Sequence, residues 1–216
     1  MDDPTPAPQP PVFNSNAYSP AEIKEAVEKV GVKKARLPAV ASFMLAIVAG
    51  GSIGLGALYY TIVVSDAELG FAAGRVLGGL VFSLGLALVI VGGAELFTGN
   101  NLIVMAWASR KVTTGEMMRN WLIVYLGNLA GALGVAVLVL LSHHLDMNGG
   151  RIGLSILNTA VAKIQPDVFT LFIKGILCNV LVCLAVWMSY SGRTATDKVL
   201  VIVPPITAFV ASGFEH

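Results

Sequence analysis

Long apolar runs limit this chain more than any other feature. They recur at about 37–64, 76–108, 120–142 and 168–190, with a fifth opening at Val199, and each of the first four reaches the roughly 20 residues needed to cross a hydrocarbon core. In lipid every backbone N–H and C=O must find its partner inside the protein, so such runs are read as membrane-spanning helices. Composition agrees: 56% of the 216 residues are hydrophobic and 12% charged, against roughly 25% charged in a soluble domain. The chain reads as an all-α integral membrane protein.

Two of these runs contain material that a helix in hydrocarbon tolerates poorly. The second is interrupted by GGAELFTGNN, residues 92–101, and the fifth, VLVIVPPITAFVASGFEH, reaches Ala211-Ser212-Gly213 and Glu215 before the sequence stops at His216. A natural terminus rarely falls inside an apolar span, so the chain is read as ending within its fifth span, short of part of a pore wall.

Charge placement gives an orientation. Lys24, Lys29, Lys33, Lys34 and Arg36 precede the first span, Arg110, Lys111 and Arg119 lie between the second and third, and Arg193 and Lys198 lie between the fourth and fifth. The alternating connections are poorer, with Arg75 near Asp66 and Glu68 in one and Arg151 and Lys163 in the other. The positive-inside rule therefore puts the N-terminus in the cytoplasm and the protein in the cytoplasmic membrane as a multi-pass chain. Residues 1–18 are Pro-rich, lack the apolar core of a signal peptide, and read as a disordered or extended leader. Residues 19–36 form a second segment. Ser19-Pro20-Ala21-Glu22 is a capping box with Pro at the first helical position, and Ile23, Ala26, Val27 and Val30 mark one face of a short cytoplasmic amphipathic helix ending near Gly31. It could lie along the membrane or cover an opening, and a solvated leader helix is the alternative. Residues 37–216 are the transmembrane domain.

Small residues recur four apart at Gly50 and Gly54, Ser52 and Gly56, Gly70, Gly74 and Gly78, and Gly127 and Gly131, a spacing that lets helices approach closely. Cys178 and Cys183 share the fourth span and read as packed thiols. His143 and His144, with Asp146 nearby, lie in a short loop without a third convergent ligand and read as loop polarity, so no metal and no cofactor are expected. No nucleophile–base pair stands out, which argues against an enzyme.

Three charged residues, Glu95, Lys174 and Glu215, fall in otherwise apolar spans, each at a cost of about 2.5–3.5 kcal/mol on insertion scales, so each needs a partner or a cavity. Glu95 and Glu215 share a context: each follows a small-residue cluster and precedes a hydrogen-bonding residue, Thr98 or His216. The interrupted spans are the second and fifth, an odd offset that reverses direction across the membrane, as an inverted repeat around a midplane site requires. Half-helices starting at such breaks can present backbone N–H groups to an anion. The plainer alternative is a pair of kinks in which the glutamates cap freed amides.

GGAELFTGNNL, GNLAGAL, KGILCNVLVCLAVWMSYSGR and FVASGFEH, in this order and spacing, resemble the formate/nitrite transporter family over roughly Ser19 to His216, and the formate-channel branch in particular. The resemblance implies a homopentamer in which each protomer has its own pore, an aquaporin-like fold of six spans with broken second and fifth helices, and here about four and a half of those six. It implies that Thr98 faces the pore and that His216 handles the anion's charge. Asn179 and Lys163 match positions that attract and bind the anion, and Phe82, Leu86 and Phe209 match apolar constrictions. Glu95 and Glu215 are the polar residues at the breaks.

The residues support a mechanism on their own terms. Phe82 and Leu86 are four apart and share a helix face that can narrow a pore. A bare anion would enter such a slot at high cost. Histidine, with an unperturbed pKa near 6.5, is suited to lend a proton or a hydrogen bond, while Thr98 and Asn179 can hold the oxygens. The expected function is passage of small monovalent anions, formate first, with lipid and small anions as partners and no nucleic acid. A nitrite or hydrosulfide channel of the same fold, and a non-transporting membrane structural subunit, are the alternatives. The paired Asn-Pro-Ala motifs of a water or glycerol channel are absent.

Overall fold

The computed structural model describes residues 16–66 and 68–216, so the expectation for the leader falls, from residue 1 to 15, outside the described residues. Among the described residues the chain is all helix: α1 (Pro20–Ala35), α2 (Ala39–Val64), α3 (Phe71–Gly92), α4 (Phe97–Asn100), α5 (Ile103–Ala108), α6 (Thr114–Leu141), α7 (Arg151–Ile164), α8 (Val168–Ser189) and α9 (Ala195–Ser212). Five of them, α2, α3, α6, α8 and α9, are long and apolar enough to cross a membrane. Their outward faces carry large apolar side chains that stay exposed among the described residues, such as Leu138, Leu141 and Phe172, as a lipid-facing or subunit-facing surface requires.

The end of the leader is not free. Tyr18 donates its N–H to the Ser191 carbonyl (3.0 Å), the Arg193 guanidinium stacks 3.9 Å over the Tyr18 ring, and Arg193 Nε donates to the Asn16 carbonyl (2.6 Å). Residues 16–18 are thus tied to the turn between α8 and α9, which their composition did not suggest.

Helix α1 starts on the expected capping box, with Ser19 and Glu22 satisfying each other's backbone N–H. It runs on past Gly31 to Ala35, a correction to the expected end. Glycine stops a helix where nothing rewards continuing, but here its bare Cα packs on α5: a Cβ on Gly31 would lie 3.2 Å from the Ala106 Cβ. Ile23, Val27, Gly31 and Ala35 form the buried face, so α1 covers α5 and does not float on the surface. Glu28 is buried on that face too. It accepts from Ser109 Oγ (2.7 Å) and from Lys111 Nζ, which together hold its carboxyl below the usual glutamate range. A lowered folded pKa means that this contribution is complete above the unfolded value of about 4.3 and is lost as pH falls through the lowered one. Limited proteolysis in detergent is expected to cut near α1 faster at pH 3.5 than at pH 7, and Glu28→Gln to remove most of that difference. Equal rates at both pH values would refute the assignment.

Glycine sets the contact between α2 and α6. A Cβ on Gly50 would strike the Asn128 carbonyl, and one on Gly131 the Ile47 carbonyl, so the two backbones touch. The four-residue pattern is only partly used, because Gly70 and Gly74 meet no other helix, whereas Gly78 seats the Tyr60 ring. Two glycines outside the expected set matter as much. Gly79 lies against the backbone of Thr207 and Gly85 against Ile53, bringing α3 close to both α9 and α2.

Helix α9 begins at Ala195, four residues before the apolar run suggested, because Thr194 and Asp197 form a capping box, as Ser19 and Glu22 do on α1 and Thr113 and Glu116 on α6. The approaches of Arg75 to Gly213 and of Gly79 to Thr207 fit α3 and α9 lying antiparallel, and the Phe82 and Phe209 rings meet between them.

Candidate functional site

The two broken spans end in the same way. Helix α3 stops at Gly93 (φ +69°) and α9 at Gly213 (φ +71°), a left-handed conformation in which a side chain is strained. In both, the next N–H reaches back five residues: Ala94 to the Val89 carbonyl (3.0 Å) and Phe214 to the Phe209 carbonyl (3.2 Å). Gly93-Ala94-Glu95 and Gly213-Phe214-Glu215 are therefore one local motif used twice, on helices running in opposite directions.

After the first break the extended backbone at Ala94–Leu96 needs partners, and Asn128 on α6 supplies them. Its Nδ2 donates to the carbonyls of Ala46 (2.8 Å) and Glu95 (2.9 Å), and its Oδ1 accepts from the Phe97 N–H (2.8 Å). Nothing in the sequence singled Asn128 out beyond its place in GNLAGAL. The Glu95 side chain, 3% exposed, accepts from Lys34 Nζ (2.7 Å) and Asn100 Nδ2 (2.6 Å). Asn100 in turn donates to Asn120 Oδ1 (3.0 Å) and accepts from Lys34 (3.0 Å), while Asn120 donates to the Lys34 carbonyl (3.0 Å). The expected partner of Glu95 exists, and it comes from the amphipathic helix α1.

After the second break Glu215 accepts from Lys163 Nζ on α7 and lies 4.0 Å from Lys174 Nζ on α8. The three charges that the sequence reading placed in apolar spans, Glu95, Lys174 and Glu215, thus each have an oppositely charged neighbour. Thr98 and His216, each following a break, meet: Thr98 Oγ1 lies 3.4 Å from His216 Nε2. The His216 ring stacks on Phe209 at 5.6 Å between centroids, and Phe209 meets Phe82 edge to face at 5.7 Å. The thiol of Cys183 approaches the Thr98 carbonyl at 3.5 Å, so this cysteine touches the break, while Cys178 is buried.

Two cavities flank this contact. The smaller, labelled inner, is ≈ 50 Å³ and is bounded by Lys34, Leu86, Val89, Gly99 and Asn100 among others. The larger, labelled outer, is ≈ 400 Å³; Phe82, Phe209 and His216 line it together with the charged Arg75, Lys163, Lys174 and Glu215. Leu86, 2% exposed, thus faces the inner space and Phe82 the outer one, a helical turn apart on α3. Asn179 borders neither cavity; its Oδ1 is buried with no partner among the described residues. Arg75, which the sequence placed in a connecting loop, sits inside α3 and faces the outer cavity. Between α6 and α7 His143 Nδ1 lies 3.3 Å from Asp146, and among the described residues no cluster of three metal-binding side chains occurs.

Comparison with known proteins places this arrangement. The sequence model of one family, formate/nitrite transporter, matches residues 21–216. The formate channel FocA of Haemophilus influenzae is 44% identical over 205 residues, which cover 94% of this chain and 72% of that protein. A solved structure described as a pentameric formate channel with formate bound superposes with a TM-score of 0.78 at 44% identity, over 82% of this chain and 70% of that one. Another, an ion channel of the FNT family, gives 0.81 at 30% identity, over 91% and 78%. With the family match spanning nearly the whole sequence and the fold following it, the chain belongs to the formate/nitrite transporter family.

Proposed function

We propose that this chain is the protomer of a formate channel in the cytoplasmic membrane, assembled as a homopentamer with its N-terminus in the cytoplasm, and that the anion passes between the two cavities at Thr98 and His216. The observation that carries the reading is the contact of these two side chains across two inverted breaks, walled by Phe82, Leu86 and Phe209. Pentameric assembly and formate as substrate rest on the likeness to the pentameric formate channel, and the orientation rests on the distribution of Lys and Arg. Nitrite, another small planar monoanion, is accommodated by the same chemistry.

Magnitudes favour a polar or protonating device at the slot. Moving an isolated carboxylate into an apolar medium costs tens of kcal/mol on a Born estimate. Neutralising a carboxylate whose pKa is about 4 costs only about 4 kcal/mol at pH 7, three pKa units at 1.36 kcal/mol each. Lys163, held by Glu215, raises the local anion concentration in the outer cavity. Thr98 donates to an oxygen as hydration is lost, and His216 shares or supplies the proton. Asn179 is proposed for the second oxygen on the family resemblance alone, since its side chain borders neither cavity. Glu95 and Glu215 hold the breaks in shape through their lysines.

Thr98→Val tests the assignment, because the two side chains are nearly the same size and only the hydroxyl is lost. Removing one hydrogen bond of about 1 kcal/mol should lower formate flux into proteoliposomes about fivefold and leave assembly unchanged. Flux equal to the parent protein would take Thr98 out of the site.

A further inference from the structure

The outer cavity holds more positive charge than its carboxylate offsets. Glu215 is shared between Lys163 and Lys174, and Arg75 borders the same space with no acid of its own. Among the described residues Arg75 makes no ion pair and no hydrogen bond, and its Nε is buried without a partner. Asp66 and Glu68, the acids nearest in sequence, do not reach it; Asp66 Oδ1 accepts from the Glu68 N–H instead.

The guanidinium is nevertheless held in place. Its Cζ lies 5.8 Å from the centroid of the Phe71 ring, and a Cβ on Gly213 would come within 2.6 Å of Nη2. Glycine at 213 thus serves the left-handed turn and also gives Arg75 room against the break that carries Glu215 and His216. An arginine held at that point, with Nε buried and without a partner and the rest of the group at the cavity wall, carries a charge that no acid among the described residues offsets. Lys174 adds to the same surplus from the apolar stretch of α8, 4.0 Å from a carboxylate already taken by Lys163.

The shape of the donors selects the ligand. A guanidinium presents parallel N–H groups in a plane and matches the two oxygens of a carboxylate, whereas a spherical anion meets only one edge; an ammonium is a point charge without that preference. We propose that Arg75 and Lys174 form an outer docking station for a planar oxyanion of single charge, a small carboxylate, which waits there before it reaches Thr98 and His216. Lys174 supplies attraction and Arg75 supplies discrimination against halide. The station deepens the channel reading and rests on it.

The test uses the purified full chain in liposomes, with formate flux measured against formate concentration, against ionic strength and against added chloride. Arg75→Gln and Lys174→Met are each expected to raise half-saturating formate about fivefold while flux at saturation is retained, and the double variant to flatten the salt dependence. Arg75→Lys should keep the salt dependence but make chloride a roughly fivefold better competitor, which a merely structural role for Arg75 would not produce. If Arg75→Gln fails to assemble, Arg75→Lys and Lys174→Met carry the comparison. A parent protein that transports formate, with variants unchanged in half-saturation, salt slope and chloride competition, overturns the station and leaves the channel reading intact. If the parent carries no formate, the channel reading fails, and thermal stabilisation by formate in detergent decides the station: a rise in Tm for the parent and none for the double variant supports it, and equal shifts or none overturn it.

Discussion

Lys34→Met is expected to destabilise the protein by about 3–5 kcal/mol, because it strands the carboxylate of Glu95 in a site that is 3% exposed. Lys34 Nζ is 2.7 Å from Glu95 Oε1 and is its only cationic partner among the described residues. The remaining contact, Asn100 Nδ2 at 2.6 Å, cannot balance a full charge. The damage should spread, since Asn100 also binds Asn120, and the Asn100 carbonyl accepts from Trp121 Nε1 (3.0 Å), so the short helix carrying Thr98 hangs on this cluster. Pairing the change with Glu95→Gln removes the stranded charge while keeping an oxygen for Asn100, and the double variant should recover most of the lost stability. Thermal melting in detergent distinguishes the cases. An unchanged melting temperature for Lys34→Met alone would mean that Glu95 is neutral or finds another partner.

His216→Leu is expected to reduce formate flux about 10- to 150-fold. A hydrogen bond to a charged group contributes about 1.5–3 kcal/mol, and each 1.36 kcal/mol is a factor of ten in rate. The histidine is the titratable group at the narrow point, stacked on Phe209 and 3.4 Å from Thr98, and leucine would extend the apolar wall that Phe82, Leu86 and Phe209 already form. His216→Gln keeps a neutral hydrogen-bond donor at the same point, so its flux should lie between the two. Liposome flux measured for the three proteins at one pH gives the answer. Parent-like flux in His216→Leu would exclude the histidine from handling the anion.

The spans, the cap of α1 and both breaks were legible in the sequence, and for one reason: each is decided by residues near one another in the chain. An apolar run answers to the hydrocarbon core residue by residue. Ser19 and Glu22 satisfy each other within one turn, and a glycine can take φ near +70° wherever it stands. The need for partners at Glu95, Lys174 and Glu215 was likewise fixed by local surroundings, since a charge in an apolar span is costly whatever packs against it.

Which partner each would find was left to the tertiary structure. Lys34 reaches Glu95 across 61 residues, Lys163 reaches Glu215 across 52, and Thr98 meets His216 across 118. Such pairings leave no period in the sequence; they exist because Gly50, Gly131, Gly79 and Gly85 bring backbones into contact and so fix which faces meet. The same packing carried α1 beyond Gly31, turned Asn128 into a splint for the first break, and moved Arg75 from an apparent loop charge to the wall of the outer cavity. The sequence by itself determined that charge would be buried and where the helices would break. Only the folded bundle decided what neutralises each charge, because that depends on distances between helices and not on any stretch of chain.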